Sequence, residues 1–132
     1  MDNKDKGNAD NYAEQLATQL RKGMLSYCVL LVCEESVYTS DIIRNLRDAD
    51  LSVVEGTIYP LLARLQKDGL LQHEWQESEQ GPPRKYYKIT EFGHEVREKL
   101  SAYIMSLNKT ITLLEANQRK SKIIIMKEAA AK

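Results

Sequence analysis

Ser52-Val-Val-Glu-Gly-Thr-Ile-Tyr-Pro-Leu-Leu-Ala-Arg-Leu-Gln-Lys-Asp-Gly-Leu-Leu71 is the stretch that decides how this chain folds. Ser52 and Glu55 have the spacing of a capping box, in which the serine accepts from the Glu55 backbone N–H and the glutamate reaches back. Val54, Ile58, Leu61, Leu62 and Leu65 then fall within one arc of a helical wheel, and Gly69 stands where a helix stops. The spacing predicts a helix over 52–68 with one buried face. The opposite arc carries Val53, Gly56, Tyr59, Pro60, Ala63 and Lys67, flanked by Thr57 and Arg64. It is too mixed for an ordinary solvated face and reads as a contact surface. Pro60 deletes a hydrogen bond and presses on the carbonyl of residue 56, at roughly 3 kcal/mol in an ideal helix interior, so a bend is expected. Gly56 lets the backbone come close to a partner. Taken alone, the pattern fits a kinked core helix with a small-residue face equally well.

The neighbours of this helix decide between the two readings. Upstream, a short extended piece at Val37-Tyr38 leads to Thr39 or Ser40, either able to cap a helix that turns Ile42, Ile43 and Leu46 inward. Asp48-Ala-Asp-Leu51 is a turn, so the order is that of a helix-turn-helix, whose second helix enters the major groove of DNA. Downstream, Leu71, His73 and Trp75 alternate with Gln72, Glu74 and Gln76 as in a strand. Glu77 to Pro83 forms a polar tip, and Arg84-Lys-Tyr-Tyr-Lys-Ile89 is a second strand with Tyr87 and Ile89 on one side. Two strands after a helix-turn-helix make a wing. Arg84, Lys85 and Lys88, interleaved with tyrosines, form a concentrated basic group where a wing meets a phosphate backbone.

Further out, Tyr12, Leu16, Leu20, Met24, Tyr27, Cys28 and Leu31 recur at three- and four-residue steps, which predicts a long first helix. Its second half reads as the central core helix. Its first half, with Arg21 and Lys22 outside, has a narrower stripe that needs a partner from elsewhere. Thr90 is placed to cap the last helix, with Glu91 in its first turn. Leu100, Ile104, Leu107, Ile111 and Leu114 then form a heptad seam, which needs a partner helix in its own domain or in another protomer. The expected organisation is a disordered N-terminus at 1–10, a winged helix-turn-helix domain at 11–90, a dimerisation helix at 91–118, and a tail at 119–132 whose role is not legible. The fold class is mainly α with a small β-wing.

Lys+Arg and Asp+Glu number 19 each in 132 residues, so no global basic field announces a nucleic-acid partner and any such partner must be met locally. The longest apolar run, Met24 to Cys33, is far below the roughly 20 residues a membrane span needs. The polar N-terminus has no signal-peptide core, and a cytoplasmic protein is expected. Cys28 and Cys33 point in different directions on one helix and read as buried small hydrophobes; neither His73 nor His94 has metal-ligand spacing to them. With no phosphate loop, nucleophile elbow or metal cluster, neither an enzyme nor a cofactor is expected. The rival from another class is a winged helix that binds protein and no DNA.

Gly56-Thr-Ile-Tyr-Pro-Leu-Leu-Ala-Arg-Leu-Gln-Lys-Asp-Gly-Leu-Leu71, followed by Gly81-Pro-Pro-Arg-Lys-Tyr-Tyr-Lys-Ile-Thr-Glu-Phe-Gly93, closely resembles the signature of PadR-family winged-helix transcriptional regulators. Arg21–Leu25 and Val37–Ile42 fit that family's first two helices, so the resemblance covers roughly residues 20–115. Position 37 is Val where the family often has glycine, a departure that concerns a turn. The resemblance implies a homodimeric repressor on double-stranded DNA, paired through the last helix, and often a small-molecule effector between protomers. Tyr12, Tyr27 and Tyr103 are candidates to border such a hollow. Carried over by position, Thr57, Tyr59, Arg64, Arg84, Lys85 and Tyr86 are the implied DNA contacts. Gly56 and Lys67 join them because they share the exposed face.

Overall fold

A computed structural model describes residues 3–131, with side chains from Gly7 onward. The elements are α1 (Asn3–Val32), β1 (Val37–Tyr38), α2 (Thr39–Asp48), α3 (Glu55–Lys67), β2 (Leu71–Ser78), β3 (Gly81–Ile89) and α4 (Glu91–Ala131). The chain divides into two units, residues 1–97 and 98–132.

In the first unit, α1, α2 and α3 enclose one core closed by the base of the sheet. Leu25, Val29, Leu30 and Cys33 of α1 meet Ile42 and Leu46 of α2, Ile58, Leu61, Leu62 and Leu65 of α3, and Leu71, Tyr87 and Ile89 of the strands. Burying each of the larger side chains is worth about 1.5–3 kcal/mol, so this cluster dominates stability. The inward arcs expected for α2 and α3 are the ones observed, although Val54 is left 69% exposed. The inward face of α1 is not the expected one. In its second half Met24 and Leu31 are 39% and 46% exposed, while the buried row is Leu25, Val29, Leu30 and Cys33; Leu16 and Leu20, whose stripe is expected to need a partner from elsewhere, are exposed. The ten-residue apolar run offers two faces to a wheel, and only the packing of α2 and α3 selects between them. Residues 3–10, expected to be disordered, lie within α1; residues 1–2 lie outside the described residues.

Both expected side-chain caps in the helix-turn-helix are corrected. Val54 is the N-cap of α3 and no side-chain cap bond forms, so the Ser52–Glu55 box is absent and the helix starts at Glu55. Tyr38 is the N-cap of α2, again without a side-chain bond. Thr39 Oγ1 instead donates to the Lys85 carbonyl at 3.2 Å, fastening α2 to β3. The C-terminal ends are better determined. The Leu70 N–H donates to Leu65 O at 2.9 Å and the Gly69 N–H to Gln66 O at 3.0 Å, a Schellman motif with Gly69 at φ 83°. The same motif ends α2, with Leu51 bonded to Leu46 O and Asp50 to Arg47 O, and Asp50 takes the left-handed position at φ 65°. The helix runs through Pro60 as one element.

The sheet order is β1-β3-β2, antiparallel throughout, with Val37 opposite Tyr87 and Leu71 opposite Ile89. Val37 packs against the core, which gives the side chain at the departing position a role. The hairpin is longer than expected: β3 begins at Gly81, so Pro82 and Pro83 belong to the strand and the tip shrinks to Glu79-Gln80. The prolines are tolerated because β1 pairs with β3 only at Tyr86 and Tyr87, leaving that side of residues 82–83 without a ladder partner.

Thr90 caps α4 as expected: the Gly93 N–H donates to its Oγ1 at 2.9 Å, and the hydroxyl donates to Gly69 O at 2.6 Å. Glu34, just past α1, pairs with Arg97 and lies 3.4 Å from His94 Nε2. The Arg97 guanidinium is the main cause that holds the Glu34 carboxyl below the usual carboxylate range. Cys28 and Cys33 are free thiols, and burial pushes Cys33 up to about 12, an inert core group.

The second unit is the continuation of α4 to Ala131, so the tail at 119–131 is helical. Along it Leu107, Ile111 and Leu114 are 62%, 53% and 63% exposed, while Leu100 and Ile104 are half-buried. The Ile123–Met126 patch is exposed as well. No helix among the described residues is long and apolar enough to cross a membrane, and no group of three His, Cys, Asp or Glu among them could hold a metal ion.

Candidate nucleic-acid interface

The buried arc of α3 forces its other arc outward. Gly56, Thr57, Tyr59, Pro60, Ala63, Arg64 and Lys67 are all exposed. A Cβ built on Gly56 would meet nothing within 4 Å, so packing within the chain does not require glycine there. What its missing side chain offers is room for an outside surface to reach the helix backbone.

The two flanks of this arc face different neighbours. Thr57 and Arg64 line a cleft of about 310 Å³ together with Lys22 and Leu25 of α1. Tyr59 is 46% exposed and stands within electrostatic reach of Tyr38 and Tyr87 on the strands. Partial desolvation pushes its phenol up, with Glu55, Tyr38 and Tyr87 adding to the shift, so the hydroxyl stays protonated and can donate or accept.

Strand alternation separates the wing residues that the sequence grouped together. Lys85 shares a face with Tyr87, whereas Arg84 and Tyr86 lie on the opposite face. The Arg84 guanidinium stacks 4.9 Å from the Tyr38 ring centroid, and the Tyr38 ring lies 5.7 Å from that of Tyr86. Lys85 Nζ sits 5.1 Å from the Tyr87 centroid and 5.8 Å from that of Trp75. Contacts of this kind are worth about 0.5–1 kcal/mol at exposed sites, enough to orient a cation without neutralising it. Among the described residues no carboxylate pairs with Arg64, Lys67, Arg84 or Lys85. The arrangement is thus an exposed helix arc and a hairpin with Arg84 and Lys88 on one face and Lys85 on the other, none of them paired with a carboxylate among the described residues.

Trp75 and Tyr38 belong to this surface and escaped the sequence reading. Alternation puts Trp75 in the same row as the buried Leu71, but the strand outruns the core and leaves Trp75 62% exposed beside Lys85. Of the tyrosines proposed to border an effector hollow, Tyr12 and Tyr103 are 67% and 70% exposed and Tyr27 is half-buried, so neither outer ring fills its unit's core.

Helix-turn-helix, wing and charge together define a winged helix-turn-helix protein. The chain belongs to the PadR-like family of transcriptional regulators, whose profile matches residues 29–99, more than half of its length. A PadR-like transcription factor from Bacteroides fragilis is similar at 51% identity over 76% of this chain and 98% of that one, with a TM-score of 0.66. A PadR family regulator from Eggerthella lenta is 31% identical over 81% and 95% of the two chains, with a TM-score of 0.76. A PadR-like regulator from Bacillus cereus is 36% identical over 73% and 95%, with a TM-score of 0.64. No curated protein matches the chain. Family membership makes the protein a DNA-binding regulator of transcription.

Proposed function

We propose that this regulator is a cytoplasmic homodimeric repressor that reads a palindromic operator with α3 and holds the DNA backbone with its wing. The observation that carries the DNA reading is the exposed α3 arc, open at Gly56 and flanked by unpaired cations. Gly56, Thr57, Tyr59, Arg64 and Lys67 face the major groove in this reading, and Arg84, Lys85 and Tyr86 the backbone. The dimer rests on the Leu100–Leu114 seam, whose outer members would otherwise leave large apolar side chains in water. A planar aromatic cation is the effector class such an interface suits through Tyr12 and Tyr103; a thermal-shift screen in which none raises the melting temperature removes that part.

Two α3 helices related by a two-fold axis face successive major grooves, so the half-sites are expected about 10 bp apart, centre to centre. Selection from a random duplex pool with the purified chain should return such a palindrome, and transcription from a promoter carrying it should fall when the protein is added. A pool with no enriched motif at low salt overturns operator binding; a rise in transcription overturns repression.

The wing is tested by its salt dependence. Arg84→Ala with Lys85→Ala removes four phosphate contacts from a dimer, which flattens the log–log salt slope by about 3.6 at roughly 0.9 per phosphate. Affinity should weaken equally on operator and scrambled duplex. Thr57→Ala should instead cost on the order of 1–3 kcal/mol on the operator alone, with the slope kept. Fluorescence anisotropy across a salt series reads both, and an unchanged slope in the double variant removes the wing from the interface.

A further inference from the structure

A helix lying in a groove of DNA has a phosphate wall on each side. The wing accounts for one side of α3, the flank on which Tyr59 neighbours Tyr87. On the other flank stands α1. The 310 Å³ cleft beside Thr57 and Arg64 is lined on its far side by Lys22 and Ser26, and an adjoining cleft of about 240 Å³, again bordered by Thr57, brings in Thr18 and Arg21. Arg21, Lys22 and Arg64 thus converge along one margin of the exposed α3 arc.

These cations are not balanced from within. The protein is neutral, with 19 basic and 19 acidic side chains, yet among the described residues no carboxylate pairs with Arg21, Lys22 or Arg64. Arg21 Nη2 donates to Thr18 Oγ1 at 3.2 Å, which holds the guanidinium along the helix and leaves its other donors free. Both Arg21 and Lys22 are exposed, so neither is kept for packing. Convergent cations and hydroxyls beside a protruding helix match the chemistry of a phosphodiester backbone.

We propose that Arg21 and Lys22 of α1 form a second backbone grip, holding the DNA strand on the side of α3 away from the wing. The inference rests on the DNA-binding reading above and adds a site to it. A two-sided hold fixes the roll of α3 in the groove, which a wing alone leaves free, and it gives a neutral protein a local positive margin where the phosphates lie.

The test is anisotropy of the full chain on operator and scrambled duplex across a salt series, with Arg21→Ala/Lys22→Ala and the conservative pair Arg21→Lys/Lys22→Arg. The alanine pair should flatten the slope by about 3.6 in a dimer, four contacts at roughly 0.9 each, on both duplexes alike. The conservative pair should keep the wild-type slope. Melting temperature and sedimentation should be unchanged in both. If the wild type binds with its salt slope and the alanine pair keeps it, the second grip is overturned while the recognition helix and wing stand. An unchanged slope with an altered sedimenting mass overturns it in favour of a contact between protomers. A wild type that binds no duplex at any salt overturns both readings.

Discussion

In the proposed homodimer, Leu107→Lys with Ile111→Lys is expected to leave monomers and to abolish tight operator binding. In the isolated chain these side chains are 62% and 53% exposed, so lysines there are hydrated and cost the fold little. In a dimer joined along the seam they would be four buried ammonium groups without carboxylates, each carrying a desolvation penalty of several kcal/mol. Since every 1.4 kcal/mol is tenfold in affinity, the dimer weakens by at least about a thousandfold. Sedimentation at micromolar concentration reads the mass, and anisotropy on the operator reads the consequence, since half-sites then bind singly. A dimer of unchanged mass would show that the seam does not join protomers. The melting of the winged-helix unit is the internal control and should be unaltered.

Gly93→Ala should produce the largest loss of stability from a single methyl group in this chain. A Cβ at residue 93 would run into the Leu70 carbonyl oxygen and approach Ile89 Cγ1 to 2.7 Å. The obstruction is largely backbone, held by the Schellman turn of α3 and by the Thr90 cap, so no rotamer change relieves it. Overpacking costs typically 1–3 kcal/mol, and a rigid obstacle puts this site at or above the upper end, about 10 °C or more in melting temperature. Gly56→Ala makes the contrast. Its Cβ meets open space, so the better helix propensity of alanine should leave stability equal or raised by up to ~1 kcal/mol while operator affinity falls. Equal melting temperatures for wild type and Gly93→Ala would contradict the packing of α4 on the α3–β2 turn.

The readable parts of the fold were those set by local periodicity. The arc Ile58, Leu61, Leu62 and Leu65, the stop at Gly69 and the cap at Thr90 depend on residues within a few positions of one another. The exposed positions on α3 follow by subtraction from the buried ones, which is why that face is legible in the sequence.

What went astray involved competition between distant segments. Thr39 has the chemistry of a cap, but the Lys85 carbonyl, 46 residues away, takes its hydroxyl. The ten-residue apolar run of α1 permits two inward faces, and the helices of the helix-turn-helix choose Leu25, Val29, Leu30 and Cys33. Alternation in β2 puts Trp75 in one row with Leu71 but does not say where the core ends, and the strand runs past it. By itself the sequence determined that this is a winged helix with one exposed arc on α3, because helix and strand periods are local properties of the chain. Only the tertiary structure decided that Arg84 and Lys85 occupy opposite faces of the wing, and that Arg21 and Lys22 stand beside Thr57 and Arg64, because through-space neighbours are set by packing between elements and leave no period in the sequence.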